Sequence, residues 1–530
     1  MSIRDARAAL QQGRLEDAIA AYRAELARAP AIVDTWQELG VALKRAGREA
    51  EAEAIYRNIL QRLPSYLPAR LTLCALLVER HQFSEAETIA REGLAHSTHP
   101  QLTGALHNNL GLALRGLRRF AEALEHLDKA QSLSPTLPGV QLLRAQTLQD
   151  MQQFDEALRI FESLISREPD VPSFHRSYNE LLYRLDRHEE ALKSYDRAPK
   201  TRQLLLDKAY FLSQEGRGEE TLEVYRDLVA RSGSDPAASA GIASMLSVMR
   251  RYDEAATAYD AALIVNRSDP DVYSGAAAVA LRRDDPQKAI ALCEQALKLS
   301  PYNQPALAVL SVGLRTLGDE RDETLNGYDT LVRVFDLEPP AGFANMNDFN
   351  AELCGYLGNI RPGARKYHNQ TLRSGTQTNG DLFGAGHDLV ERVRVRIDNA
   401  IGHYIDGLKI DARHPFLSRR TRNTCYNGSW SSRLGDCGFH VNHIHPRGWI
   451  SSCYYVGVPD VTKDENQRQG WIKFGESDFE HLLDRNPARR MVQPVPGRLV
   501  LFPSYMWHGT IPFHAAAART TIAFDVVPVG

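Results

Sequence analysis

The chain has 530 residues, 43% of them hydrophobic and 24% charged, with a formal net charge of −3. That length exceeds what one hydrophobic core organises, so more than one domain is expected. The near-neutral balance argues against a broad nucleic-acid-binding surface, and no apolar run approaches the ~20 residues that span a bilayer.

The N-terminus, Met1-Ser2-Ile3-Arg4-Asp5, is charged, lacks an apolar signal core and runs straight into a helical pattern. Residues 33–66 place Trp36, Leu39, Gly40, Gly47, Ala52, Tyr56 and Pro64 at the intervals of a ~34-residue period. Small residues fall where two antiparallel helices approach, and the proline falls where the second helix must stop. The register recurs. Ala18, Tyr22 and Pro30 precede it; Gly111, Ala123 and Pro135, then Ala157, Phe161 and Pro169, then Ala191 and Tyr195 come after it. Tyr225 belongs to a degenerate copy, Ala255, Tyr259 and Ala262 restore the pattern, and Ala289, Ala296 and Pro301 close it. The copy at 67–100 is weak, with Ala86 its clearest match. This in-phase pattern resembles the tetratricopeptide repeat, with about nine or ten copies ending near Gly318. The resemblance implies a right-handed superhelix over 1–320 whose concave face takes a protein or peptide partner.

Residues 321–337 are amphipathic, break the phase and predict a capping helix stopped by Pro339-Pro340. A helix is expected over 347–357 with Asn347 or Asp348 as N-cap. The polar stretch 370–380 predicts a loop, and Val390, Val393, Ile397 and Ile401 predict a helix over 385–407. Together 321–425 reads as helical support for a strand-rich C-terminal region.

After Cys425 the period changes to two, with strands expected over 429–434, 439–444, 449–458, 470–474, 498–502 and 519–527. So many short strands in 426–530 predict a small barrel or sandwich. Alternation puts His443 and His445 on one face and turns His440 and Asn442 away. Two imidazoles two residues apart can close on one metal ion. His508, after the turn at Pro503-Ser504, is the natural third ligand. Arg519 and Thr521 share a face of the last strand, where a guanidinium could hold a carboxylate. Asp525 shares that face and could pair with Arg519 instead. Trp430 and Ser432 share a face of the first strand, with Arg433 opposite.

The order Gly438, His443-x-His445-Pro446, Ser451-x-x-Tyr454-Tyr455, Phe502-Pro503-Ser504, His508, Arg519 resembles the 2-oxoglutarate- and iron(II)-dependent oxygenases, in their prolyl-hydroxylase-like branch. The resemblance implies a double-stranded β-helix (jelly-roll) core in an α+β domain. It also implies an Fe(II) held by His443, His445 and His508, and a 2-oxoglutarate cosubstrate held by Arg519 with Thr521 and Tyr455. Position 445 departs from the family, which has a carboxylate there. Three alternatives stay open: a three-histidine site, a two-histidine site completed by water, or a different metal; His445 as a ligand is favoured.

The expectation is therefore a multidomain protein in which a tetratricopeptide superhelix presents a protein or peptide to a dioxygenase that hydroxylates it. Two rivals are a catalytically inactive binding scaffold and a three-histidine dioxygenase that does not use 2-oxoglutarate. Six scattered cysteines without a C-x-x-C pair suit reduced thiols in a cytoplasmic protein. No nucleic acid and no membrane is expected as partner, and homo-oligomerisation stays open.

Overall fold

The computed structural model describes residues 3–137, 139–185, 187, 190–360, 371–378 and 381–529. They form two compact units, 1–191 with 384–386, and 192–383 with 387–530.

The first unit consists of antiparallel helix pairs, of which Val33–Arg45 and Glu49–Arg62 are typical. The repeat signature has a direct steric meaning here. A Cβ on Gly40 would come within 2.5 Å of the Tyr56 ring, so the tyrosine of one helix lies on the glycine of its partner. Ala42 and Ala52 are fully buried beside them. The weak copy forms Leu67–Glu79 and Phe83–His96 like its neighbours. Buried Leu73, Cys74 and Leu77 supply there the contact that small residues supply elsewhere.

The second unit continues the repeats. The degenerate copy forms Arg202–Gln214 and Gly218–Ser232, and Tyr225 packs on Gly241 of the next helix. Pairs at 236–265 and 270–299 come next, then a single helix Gln304–Thr316. Asp235 and Asp285 cap their helices by accepting from the backbone N–H of Ala238 and Lys288.

The join differs from expectation in three places. The predicted capping helix over 321–337 is shorter: Arg321–Asn326 ends at Gly327 (φ 40°), a single turn Tyr328–Leu331 succeeds it, and 333–336 is a strand. A left-handed residue stops the helix, and β-branched Val332 and Val334 suit the extended chain after it. The next helix runs Met346–Asn359, with Asn345 rather than Asn347 or Asp348 as cap; its side chain accepts from the Asp348 N–H. Most of the predicted loop 370–380 is a strand, Leu372–Gln377, while Gln370, Asn379 and Gly380 lie outside the described residues. That strand lies at a sheet edge, where backbone pairing holds polar residues without a hydrophobic period to betray it. The helix Asp388–Asp406 buries Val390, Val393, Ile397 and Ile401 as the periodicity predicts.

The strands are β1 (Arg333–Asp336), β2 (Leu372–Gln377), β3 (Thr424–His440), β4 (Ile450–Gly457), β5 (Ile472–Phe474), β6 (Arg490–Val492), β7 (Arg498–Pro503), β8 (His508–Thr510) and β9 (Arg519–Pro528). They build two antiparallel sheets, one in the order β1-β7-β4-β9-β3-β2 and one in the order β6-β5-β8. The strand expected at 429–434 lies inside β3, which ends at His440, so most of the strand expected at 439–444 is not formed; β6 and β8 are too short to announce themselves. Helices 346–359 and 388–406 cover one side of the large sheet: Tyr454 donates to Asn350 Oδ1 at 2.8 Å, and Phe349, Val393, Leu499 and Phe524 share its core. The other side faces the small sheet, with Phe474 of β5 against Phe502 of β7. The last repeat helix joins this domain through buried Arg315, which pairs with Asp322 at 2.8 Å and donates to the Gly475 carbonyl at 2.6 Å. Trp507 donates to the Ala308 carbonyl at 3.1 Å. Among the described residues no helix is long and apolar enough to cross a membrane.

Candidate functional site

A pocket of about 380 Å³ opens between the two sheets. Period-two alternation builds its walls. Arg519, Thr521, Ala523 and Asp525 of β9 line it, as do Trp430 and Ser432 of β3, while Arg433 is exposed on the opposite side.

His443, His445 and His508 converge there, each with one ligand atom within 4.8 Å of the others'. Two of them are locked face to face by the backbone. The His443 N–H donates to the His508 carbonyl at 2.9 Å and the His508 N–H returns to the His443 carbonyl at 3.0 Å. Their ring centroids lie 4.2 Å apart. His445 is placed by its own N–H, which donates to the Ser504 carbonyl at 2.9 Å.

Each imidazole has its Nδ1 occupied from behind. His443 Nδ1 lies 2.7 Å from the Val441 carbonyl, and His508 Nδ1 lies 3.0 Å from the Met506 carbonyl. His445 Nδ1 lies 2.5 Å from Asp525 Oδ1. A carbonyl or carboxylate can only accept, so each Nδ1 carries the proton and each Nε2 lone pair is left facing the pocket. Burial first, and then the neighbouring imidazoles, push His443 down to about 3 and His508 well below the ordinary histidine range. These two rings are neutral at physiological pH, the state in which imidazole binds a metal.

Asp525 therefore does not pair with Arg519. It accepts from His445 and, at 2.6 Å, from the Ser451 hydroxyl. The carboxylate that position 445 lacks is supplied one residue further out, behind the imidazole. The period-two pattern already placed Asp525 on this face; only its partner differed.

His440 does not turn away as strict alternation predicts: it is half-buried and lines the pocket. β3 is bent just before it and ends at it. Cys437 adopts φ 58°, and Gly438 is packed so closely that a Cβ would meet the Gly435 carbonyl at 2.7 Å. Beyond that bend β3 ends at His440, so the alternation counted from 439 to 445 runs off the strand and does not hold. Its Nδ1 lies 3.3 Å from Thr371 Oγ1, just ahead of β2. Asn442 does face away, donating to Glu476 Oε1 at 3.0 Å and the Ser477 carbonyl at 2.9 Å.

Arg519 is buried on the inner face of β9, its guanidinium 4.9 Å from the Tyr455 ring centroid. It forms no ion pair with a carboxylate among the described residues, and its Nε has no hydrogen-bond partner. The buried hydroxyls of Tyr455, beneath it, and Ser432, in the pocket wall, are likewise unpartnered. A buried cation without a counter-ion is costly; three unpaired polar groups in one place form a cradle for an anion with several acceptor atoms. A carboxylate fits Arg519, and an iron(II) fits three inward-facing nitrogen lone pairs. The donor set thus suits both groups that the resemblance implies.

Residues 428–525 match the family described as "Putative 2OG-Fe(II) oxygenase". Residues 4–66, 75–138 and 246–304 match one tetratricopeptide repeat family, and 43–106 and 114–181 match a second. The chain joins a tetratricopeptide repeat array to a C-terminal domain of that oxygenase family. Among solved structures it is similar to a tetratricopeptide repeat protein from Parabacteroides merdae, at 14% identity and a TM-score of 0.32, over 59% of this chain and 97% of that one. It is also similar to the P58(IPK) TPR domain, at 18% identity and a TM-score of 0.21, over 59% and 96%. Pseudomonas aeruginosa pilF is similar at 20% identity and a TM-score of 0.30, over 39% and 94%. No curated protein matches the chain.

Proposed function

We propose that the chain is a 2-oxoglutarate- and iron(II)-dependent dioxygenase that hydroxylates a protein or peptide brought to it by the repeats. The observation that carries this reading is the meeting, in one pocket, of three imidazoles and a buried guanidinium that has no carboxylate partner among the described residues.

In this reading His443, His445 and His508 hold the iron through Nε2. The backbone carbonyls of Val441 and Met506 and the carboxylate of Asp525 fix the tautomer of each ring. The Asp525 carboxylate behind His445 also returns part of the negative charge that the family's usual carboxylate supplies. Arg519 takes the remote carboxylate of 2-oxoglutarate, and the Tyr455 hydroxyl and Thr521 complete its surroundings. Iron bound here supplies oxygen activation coupled to decarboxylation of the cosubstrate. Trp430, Ile444 and Ile472 line the pocket and keep its interior dry. The repeats suit a macromolecular substrate because tetratricopeptide arrays present extended surfaces for protein segments.

The test is anaerobic loading with Fe(II), followed by 2-oxoglutarate and oxygen. Succinate formed in proportion to iron occupancy is expected. Iron-loaded protein that neither binds 2-oxoglutarate nor makes succinate sinks the reading. Histidine at 445 favours one rival, a three-histidine dioxygenase without 2-oxoglutarate. Arg519→Ala separates the two, because it removes the proposed activity and spares the rival's.

A further inference from the structure

A second cluster of metal-ligating side chains stands on the surface. Asp436, Cys437 and His514 bring together a carboxylate, a thiol and an imidazole, and all three are exposed. Cys437 Sγ lies 3.3 Å from His514 Nδ1 and 3.7 Å from Asp436 Oδ2, and His514 Nδ1 lies 3.6 Å from Asp436 Oδ1. Zinc bonded tetrahedrally to sulfur, nitrogen and oxygen at ~2.0–2.3 Å puts those donors about 3.3–3.6 Å apart. The thiol and the imidazole already stand at such an edge length, and each has one oxygen of the Asp436 carboxylate within 3.7 Å, so a small rotation of that carboxylate completes one face of the tetrahedron.

The backbone assembles the three. The left-handed turn at Cys437 aims its side chain toward the 513–515 segment. The Cys437 N–H donates to the Phe513 carbonyl at 2.9 Å, and the Ala515 N–H donates to Asp436 Oδ1 at 3.1 Å. The His514 N–H donates to Gln469 Oε1 at 2.8 Å. The segment that carries the imidazole is thereby laced to the bend that carries the thiol.

The same residues could instead be a nucleophile and its base. The thiol argues otherwise: slight desolvation and then the Asp436 carboxylate raise its pKa, the opposite of an activated cysteine. A divalent cation reverses that balance, because it takes the thiolate and the carboxylate together.

We propose that Asp436, Cys437 and His514 form a surface zinc site, separate from the histidine cluster, with its fourth position open to water. Bound there, zinc pins the bend in β3 to the segment that leads into Arg519.

Cobalt(II), titrated into the metal-free full-length chain under reducing conditions, reads this site without confusion with the other. Only a thiolate ligand gives the intense near-ultraviolet cobalt–sulfur charge-transfer band, and the histidine cluster contains no thiol. The expected result is a band whose full intensity corresponds to one cobalt–thiolate centre per chain, that is displaced by zinc and persists in His508→Ala. It is lost in Cys437→Ser, and His514→Ala binds at least tenfold more weakly. Both altered side chains are exposed, so folding, checked by circular dichroism, is untouched. The absence of the band in the wild-type chain, or its survival in Cys437→Ser, overturns the proposal.

Discussion

Replacing Asp525 by asparagine isolates one charge behind one proposed metal ligand. The carboxylate is buried, as is His445, and accepts from His445 Nδ1 at 2.5 Å and Ser451 at 2.6 Å. Asparagine keeps the shape and one acceptor oxygen but not the charge. A hydrogen bond to a charged group contributes about 1.5–3 kcal/mol, and a neutral one about 0.5–1.5. The difference is ~1–1.5 kcal/mol, which is about tenfold in affinity and the lower end of what outer partners of metal-bound histidines contribute. Asp525→Ala removes the acceptor altogether and should approach about a hundredfold. It also leaves His445 and Ser451 unsatisfied, at a further ~1–3 kcal/mol of stability. The assay is anaerobic Fe(II) or Mn(II) calorimetry, with thermal melts run on the same samples. If Asp525→Asn binds metal as tightly as wild type while His445→Ala does not bind, Asp525 contributes no charge to the site. If His445→Ala itself binds unchanged, His445 is not a ligand.

Arg519→Ala should weaken 2-oxoglutarate binding by at least about a hundredfold, as loss of a desolvated charge pair predicts, and leave metal affinity within about twofold; equal losses of both would mean a collapsed pocket. Gly275→Ala puts a Cβ 2.3 Å from the Tyr259 hydroxyl and should destabilise the chain by ~1–2 kcal/mol in urea titration despite the helix-favouring alanine; an unchanged midpoint refutes the packing argument. Asp322→Ala strands buried Arg315, which also donates to Gly475, and should cost about 3–5 kcal/mol, read as a lowered urea midpoint. His414 donates from Nε2 to the Thr324 and Leu325 carbonyls and accepts at Nδ1 from the Phe416 and Leu417 N–H groups. Burial lowers its pKa in the folded state, so its contribution is whole above about pH 6.5 and is lost as pH falls from there toward the folded value, because the unfolded chain takes the proton first. His414→Gln should flatten that acid-side loss in stability measured against pH; an unchanged slope assigns it to other groups.

Much of this was legible in the sequence for physical reasons. Tyr56 and Tyr259 recur opposite glycines because a ring needs the space of a missing side chain, and that need repeats in phase. Arg519, Thr521 and Asp525 could be placed on one wall because β9 is regular from end to end. His440 was misplaced because alternation holds only within a strand, and β3 ends at His440 with no sequence mark of that end. Strand β2 was hidden because edge pairing uses backbone groups, which every sequence possesses. The partner of Asp525 depends on where β3 leaves its sheet to deliver His445, and no local pattern encodes that.

The tie between Trp507 and the Ala308 carbonyl has a practical corollary for anyone re-targeting the protein. The residue next to His508 is moored to the final repeat helix, and repeats from 192 onward share a compact unit with the sheets. A chimera spliced at the last repeat boundary would strip the mooring from beside His508. One spliced near residue 191 exchanges only the outer repeats and leaves the footing of His508 intact.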